Sequence, residues 1–212
     1  MKAKRTPVLL GVAGGTGSGK TTVAREILRD VGRSRLALLA QDSYYHDVPT
    51  EGGQLPADFN WDHPSAIDTE RFEADLRALK EGRAVEAPVY DFVSSKRLEE
   101  TVRVEPRPVV IVEGILLLAE PRIRALLDFK IFVDTDADVR LTRRIERDLR
   151  DRGRKLDDIL HQYMATVRPM HLEFVEPSKR WADIIVPEGG ENRVALEMVT
   201  ARIEQLLAAS AR

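Results

Sequence analysis

Residues 14–21, Gly-Gly-Thr-Gly-Ser-Gly-Lys-Thr, constrain this chain more than any other stretch. They fit G-x-x-x-x-G-K-[ST], a loop whose backbone N–H groups wrap a nucleotide's phosphates. Glycine lacks the Cβ that would block a tight turn and a close approach to phosphate oxygens. Lys20 can reach the β- and γ-phosphates as a point charge, the Thr21 hydroxyl can ligate Mg2+, and a following helix would aim its positive end at the same place. A flexible Gly/Ser linker is the competing reading. The flanks favour the phosphate loop: Val8, Leu9, Leu10 and Val12 read as a short buried strand, and Val23, Ala24, Ile27, Leu28 and Val31 recur at helical spacing. A nucleoside triphosphate is the expected ligand.

With 212 residues and 43% hydrophobic content, the chain can bury one substantial core, and one domain over residues 1–212 is expected. Its 33 basic and 35 acidic residues give a formal net charge of −2, so no whole-molecule field argues for nucleic acid or an anionic membrane. Any anion site must be local. The absence of cysteine excludes disulfides, thiolate zinc sites and a cysteine nucleophile, and fits a reducing compartment. His46, His63, His161 and His171 lack metal-ligand spacing and read as surface or packing residues. The basic Met1–Arg5 leads into no cleavage pattern. The longest apolar stretch, Val109 to Ala119, is broken by Glu113 and Gly114 and is shorter than the roughly 20 residues of a membrane span. A soluble, cytoplasmic protein with no nucleic-acid or membrane partner is expected.

Apolar runs that suit buried parallel strands recur at Pro7 to Ala13, Leu36 to Ala40, Val109 to Val112, Lys130 to Val133 and Asp183 to Val186. Helical patterns separate most of them. Asp68 can cap a helix in which Phe72, Leu76 and Leu79 share a face and Gly82 supplies the stop. Further helices fit Pro121 to Leu127, Asp138 to Arg150, Leu156 to Val175 and Asn192 to Ala208. The predicted class is α/β, a parallel sheet flanked by helices. Two segments depart from the alternation. Tyr44 to Ala66, with Pro49, Gly52, Gly53, Pro56 and Pro64 beside Phe59 and Trp61, reads as a long ligand-touching loop. Ala84 to Glu105 reads as an inserted β-hairpin, Val85 to Phe92 and Glu100 to Val104 around Ser94 to Arg97, beside the main sheet or merely packing on its edge.

In open α/β sheets, ligands sit at the carboxyl ends of the strands. Asp42 follows the Leu36 to Ala40 run and Glu113 follows Val109 to Val112. Phosphoryl transfer needs two such groups, one for Mg2+ or its waters and one to accept the proton of an attacking hydroxyl. A turn cap for Asp42 and a structural partner for Glu113 are the alternatives. From Arg140 to Arg154, seven arginines and three acids share fifteen positions. At about 100° per residue, Arg140, Arg143, Arg144, Arg147 and Arg150 fall within about 120° of one another, with Leu141, Ile145 and Leu149 on a separate stripe. The apolar stripe is expected to pack, and the arginines to meet phosphates. Arg152-Gly153-Arg154 extends the patch as a lid could. A solvated helix laced with i,i+4 pairs is the alternative.

These residues resemble the uridine kinase, or uridine-cytidine kinase, family, P-loop kinases related to phosphoribulokinase. The resemblance covers nearly the whole chain. It is carried by GGTGSGKTT at 14–22, QDSYY at 41–45, FNWDHP at 59–64, PVYDF at 88–92, VEGIL at 112–116, FVDTDADVRLTRRIERD at 132–148, RGR at 152–154 and WADIIVP at 181–187. It implies a P-loop NTPase-type sheet, a hairpin (84–105) over the nucleoside site and arginine-rich lid helices (138–175). The loop residues Gly14, Gly15, Thr16, Gly17, Ser18, Gly19, Lys20, Thr21 and Thr22 would then hold the triphosphate with Arg152 and Arg154. Thr21 and Glu113 would serve Mg2+, and Asp42 would be the general base beside Lys20 and Arg147. Asp62 and Arg144 would hold the ribose hydroxyls. Tyr45, Trp61, Tyr90 and Phe92 would line the nucleoside pocket, with Gln162 in the lid region.

Two residues depart from the family's pattern. Ser95 stands where a base-reading histidine is common, which leaves uridine against cytidine open, and Trp61 is larger than the usual aromatic. The activity implied is ATP-dependent phosphorylation of the 5′-hydroxyl of a pyrimidine ribonucleoside in pyrimidine salvage, with Mg2+ required, GTP an alternative donor and a homo-tetramer as the assembly. A phosphoribulokinase-like or other small-metabolite kinase is one rival. A nucleotide-gated binding module without acceptor chemistry is another, although no N-K-x-D segment is present.

Overall fold

Strands buried on both faces need apolar residues at every position, and that is why the runs above become a parallel sheet. The computed structural model describes residues 6–32, 34–47 and 59–209. Its sheet contains β1 (Val8–Gly14), β2 (Leu36–Ala40), β5 (Val109–Gly114), β6 (Phe129–Asp134) and β7 (Ile184–Pro187), and the antiparallel hairpin contains β3 (Val85–Asp91) and β4 (Lys96–Val104). The five-stranded order is β2-β5-β1-β6-β7, all pairs parallel. The second hairpin strand starts at Lys96, not Glu100: the residues read as turn from the sequence pair in register, Tyr90 with Arg97 and Asp91 with Lys96, past a bulge between Pro88 and Tyr90.

Alternation along the strands divides the core in two. Leu9, Val110, Val112 and Phe132 point to one layer, with Phe72, Leu76 and Leu79 of α2 (Thr69–Lys80). Leu10, Val12, Ile111, Ile131 and Val133 point to the other, with Val23 and Ile27 of α1 (Lys20–Val31) and Val199 and Ile203 of the last helix, Arg193–Ala209. The remaining helices are α3 (Pro121–Arg124), shorter than its predicted span, α4 (Ala137–Asp151) and α5 (Leu156–Gln162). The predicted Leu156–Val175 helix widens into π turns at Tyr163–Val167 and His171–Val175, and helical segments follow at Arg168–Met170 and Glu176–Ser178. Each π turn ends two residues before a proline, Pro169 or Pro177. A proline in a helix lacks the N–H donor and its ring pushes on the carbonyl four residues back, which a widened turn relieves.

Asp68 caps α2 by accepting from the Arg71 N–H at 3.2 Å. Its other oxygen pairs with Arg97 of the hairpin at 3.1 Å. Arg97 in turn donates to the carbonyls of Tyr44 (3.1 Å) and Tyr45 (2.7 Å), so one ion pair ties hairpin, helix and the chain after β2 together. Of the predicted loop from Tyr44 to Ala66, Pro49, Gly52, Gly53 and Pro56 lie outside the described residues, as does Met1–Arg5. Loss of both contacts in Asp68→Ala should lower stability by about 1–2 kcal/mol, and urea unfolding with an unchanged m-value is the measurement that checks it.

Candidate active site

Register decides what meets at the carboxyl edge. Ala40 of β2 and Val12 of β1 both pair with Glu113 of β5. The glycine loop leaves β1 one step beyond, and a 3-10 turn over Gln41–Tyr44 carries Asp42 away from β2. The loop is held tightly from the α4 side. At Gly17, φ is +75°, and an added Cβ would lie 2.3 Å from the Arg140 carbonyl oxygen. At Gly15 it would lie 2.7 Å from the Arg140 guanidinium. Gly17 therefore requires glycine for the close approach of the α4 backbone, whereas a Cβ at Gly15 would displace the end of the Arg140 side chain.

Lys20 and Glu113 are buried, 7% and 6% exposed. Thr21 donates its hydroxyl hydrogen to the Glu113 carboxylate, whose oxygens lie at 2.9 and 3.0 Å. Burial holds Glu113 above the usual carboxylate range, against the pull of Lys20 and with a push from Asp42. Thr22 lies against Gly190 of the turn after β7. Asp42 lines the cavity next to these groups, and its carboxylate makes no hydrogen bond or ion pair among the described residues.

That cavity holds about 560 Å³ of space not filled by atoms, part of it open to solvent. Thr16, Lys20 and Asp42 form its phosphate-loop end. Tyr45, Trp61, Tyr90, Phe92 and Ser95 form an aromatic wall, with ring centroids 5.5 Å apart for Tyr45–Trp61 and 5.3 Å for both Tyr45–Tyr90 and Tyr90–Phe92. Ser95 closes the hairpin turn in the left-handed region, φ +57°, a strained place for a residue with a Cβ. Asp62 is 8% exposed, and burial raises its pKa against the opposing field of Arg144.

Arg144, Arg147, Arg152, Arg154 and Gln162 complete the lining. Arg144 donates to the Thr16 hydroxyl at 3.2 Å and to Gln162 Oε1 at 2.8 Å, and Arg154 donates to the same Gln162 oxygen at 2.8 Å. The Arg152 guanidinium lies 4.3 Å from the Phe92 ring centroid and so joins the cationic wall to the aromatic one. Burial, with Arg147 beside it, lowers the Arg152 pKa to about 10.

The packing of α4 differs from the expectation. The inward row is Arg140, Arg144 and Asp148, 6%, 5% and 0% exposed, while Leu149 of the apolar stripe is 44% exposed. The arginine set also divides. Arg150 pairs with Asp151 on the outside, and Arg143 lines a second groove with Asp134, Thr135, Asp136 and Glu188 past the ends of β6 and β7. A buried charge network explains the rotation: guanidiniums gathered on one carboxylate and the loop leave the leucine edge outward.

Sequence reasoning missed Ile115, which lines the cavity, and His171 and Asp148, which support it, and it placed Arg140 among the arginines meeting phosphates where the structure packs it against the loop and His171. Of the missed residues only Asp148 carried a signal, its i,i+4 spacing to Arg144 and Arg152 within the arginine run.

A strand, glycine loop and helix at the carboxyl edge of a parallel sheet, with lysine buried in the loop and threonine bonded to the acid of the neighbouring strand, define a P-loop nucleotide-binding protein. The profile of the Phosphoribulokinase / Uridine kinase family matches residues 9–195. The chain belongs to that family. It is 52% identical over 203 residues to a uridine kinase of Clostridium botulinum (strain 657 / Type Ba4), covering 96% of this chain and 98% of that one. It is also 52% identical over 204 residues to a uridine kinase of Chloroflexus aurantiacus (strain ATCC 29366 / DSM 635 / J-10-fl), with the same coverage. The solved phosphoribulokinase of Rhodobacter spheroides shares the fold at a TM-score of 0.63 and 17% identity, over 87% of this chain and 71% of that one.

His171 sits behind the loop and accepts from Arg140 Nη2 at its Nε2, 3.1 Å away, which requires the neutral ring. Burial first, then the Arg140 charge, lowers its pKa from 6.5 to about 4. The unfolded chain binds this proton from about pH 6.5 and the folded chain only near 4, so its contribution is present above 6.5 and is lost as pH falls toward 4. His171→Gln should reduce the acid-side slope of stability in that window by about one proton, which thermal unfolding of both proteins across the range checks.

Proposed function

We propose that this protein transfers the γ-phosphoryl group of ATP to the 5′-hydroxyl of a pyrimidine ribonucleoside, uridine and/or cytidine. The observation that carries the reading is Asp42, whose carboxylate makes no hydrogen bond or ion pair among the described residues, lining one cavity with Lys20, an aromatic wall and four arginines. The 52% identity to uridine kinases over nearly the full length supports it. A wall of aromatic rings suits a nucleobase better than a phosphosugar, which disfavours the phosphoribulokinase-like alternative. A binding module would have no use for an acceptor base.

In this reading the nucleoside stacks against the hairpin aromatics, and Asp62 and Arg144 accept and donate at the ribose hydroxyls. Asp42 takes the proton of the 5′-hydroxyl as its oxygen bonds to the γ-phosphorus and the bond from that phosphorus to the β,γ-bridging oxygen breaks, releasing ADP. Lys20, Arg147, Arg152 and Arg154 meet the charge spread over the phosphoryl oxygens. Thr21 and Glu113 offer a hydroxyl and a carboxylate, hard oxygen donors of the kind Mg2+ takes together with phosphates. Mg2+ bound there would neutralise phosphate charge and relieve the buried Glu113 carboxylate. Arg143 and the groove around it flank the loop near Gly19 and suit the base of the donor. The Ser95 hydroxyl can donate or accept, which suits either pyrimidine edge. A homo-tetramer, by resemblance, completes the reading.

An ADP-release assay across uridine, cytidine, adenosine, guanosine and ribulose 5-phosphate tests it. Release that depends on a pyrimidine nucleoside is expected, and release that depends only on ribulose 5-phosphate, or on no acceptor, rules the assignment out. Asp42→Asn should lower kcat by roughly 10²–10⁴-fold with ATP affinity by calorimetry unchanged, whereas near-normal turnover removes Asp42 from the chemistry.

A further inference from the structure

Asp148 does not line the cavity. It lies behind it, fully buried on α4, with arginines four residues to either side. Its Oδ1 accepts from Arg147 Nε at 2.8 Å and has Arg152 Nη1 at 3.4 Å. Its Oδ2 faces Arg144 Nε at 3.6 Å and Arg154 Nη1 at 3.8 Å, beyond hydrogen-bond reach. The Arg154 backbone N–H returns to the Asp148 carbonyl at 3.1 Å, so the turn through Gly153 closes on the same residue.

A carboxylate placed for stability alone would need one arginine. Here four guanidiniums share it, and together with Lys20 they outnumber Asp148, Asp42 and Asp62, so part of their charge stays unmatched and they are held against their mutual repulsion. What they lack is a polyanion on the other side. We propose that Asp148 is a positioning residue, which sets the spacing of these four guanidiniums for the phosphoryl group in transfer rather than the affinity of the site for triphosphate. This rests on the kinase reading above.

The two contributions of Asp148 separate in a neutral variant. Asp148→Asn removes one negative charge from an anion site, which strengthens attraction for a polyphosphate, and frees the arginines to splay, which weakens alignment. A residue that only packed α4 would lose affinity and turnover together.

Wild type, Asp148→Asn and Asp148→Glu are compared by ADP release, by calorimetric binding of inorganic tripolyphosphate, and by the rate of trypsin cleavage after Arg152 and Arg154. For Asp148→Asn we expect kcat about 10- to 100-fold lower, KM for ATP and tripolyphosphate affinity kept or improved, and faster cleavage. Asp148→Glu, which keeps the charge, should fall between. A kcat within about threefold of wild type, or a fall in kcat matched by an equal loss of tripolyphosphate affinity, overturns the proposal. Should Asp148→Asn not unfold cooperatively, Asp148→Glu decides by the same two criteria. A wild type without acceptor-dependent ADP release overturns the kinase reading, and the role in transfer with it; that Asp148 spaces the four guanidiniums then stands on quicker cleavage with tripolyphosphate binding retained, and falls if cleavage is unchanged.

Discussion

Five cationic side chains, Lys20, Arg144, Arg147, Arg152 and Arg154, converge on a cavity that offers them only Asp42 and Asp62 in return. In a chain whose formal net charge is −2, that local surplus is the feature around which the rest is arranged. Crowding buried guanidiniums is unfavourable: burial, and then the charges of Arg147 and Arg154, depress the pKa of both Arg144 and Arg152. The fold meets that cost with buried braces, Asp148 behind the arginines and Gln162 between two of them. A site built this way trades stability for a fixed field aimed at an incoming polyanion.

Helix α4 connects that field to the glycine loop. Arg140 presses its backbone against Gly17 and its guanidinium against Gly15, and Arg144, one turn on, bonds Thr16. The loop and the arginines are thus placed by one rigid element, so their relative geometry does not depend on a flexible connection. On the opposite side, the Asp68–Arg97 pair fixes the hairpin to the carbonyls of Tyr44 and Tyr45, which positions the aromatic wall relative to Asp42.

How far the sequence disclosed this depends on the kind of physics involved. Strands such as Leu36–Ala40 were legible because burial on both faces leaves an unbroken apolar run, and α2 because Asp68 and Gly82 punctuate an apolar face. The facing of α4 was not, since periodicity assigns the inside to leucine and isoleucine, while here guanidiniums and one carboxylate occupy it. The π turns were also hidden, because Pro169 and Pro177 read locally as interruptions and only a continuous helix with widened turns reconciles them with the neighbouring residues. Most of the site residues could be named from motifs, whereas His171 has no local pattern and the supporting role of Arg140 is defined only by its packing on the loop and on His171.

Three carboxylates near the loop end show how environment separates roles that sequence leaves equivalent. Glu113 is buried against Thr21, and its charged form is disfavoured by that burial. Asp62 is buried as well, faces Arg144, and is shifted the same way for the same reason. The charge of Asp42 raises both further. Among the described residues neither Asp42 nor Asp62 has a hydrogen bond or ion pair on its carboxylate, but Asp42 is the less buried of the two and stands with Thr16 and Lys20 at the phosphate-loop end of the cavity. Division of labour among like groups follows here from burial and bonding, and it is these, more than the identity of the residues, that make the carboxyl edge of this sheet suited to phosphoryl transfer.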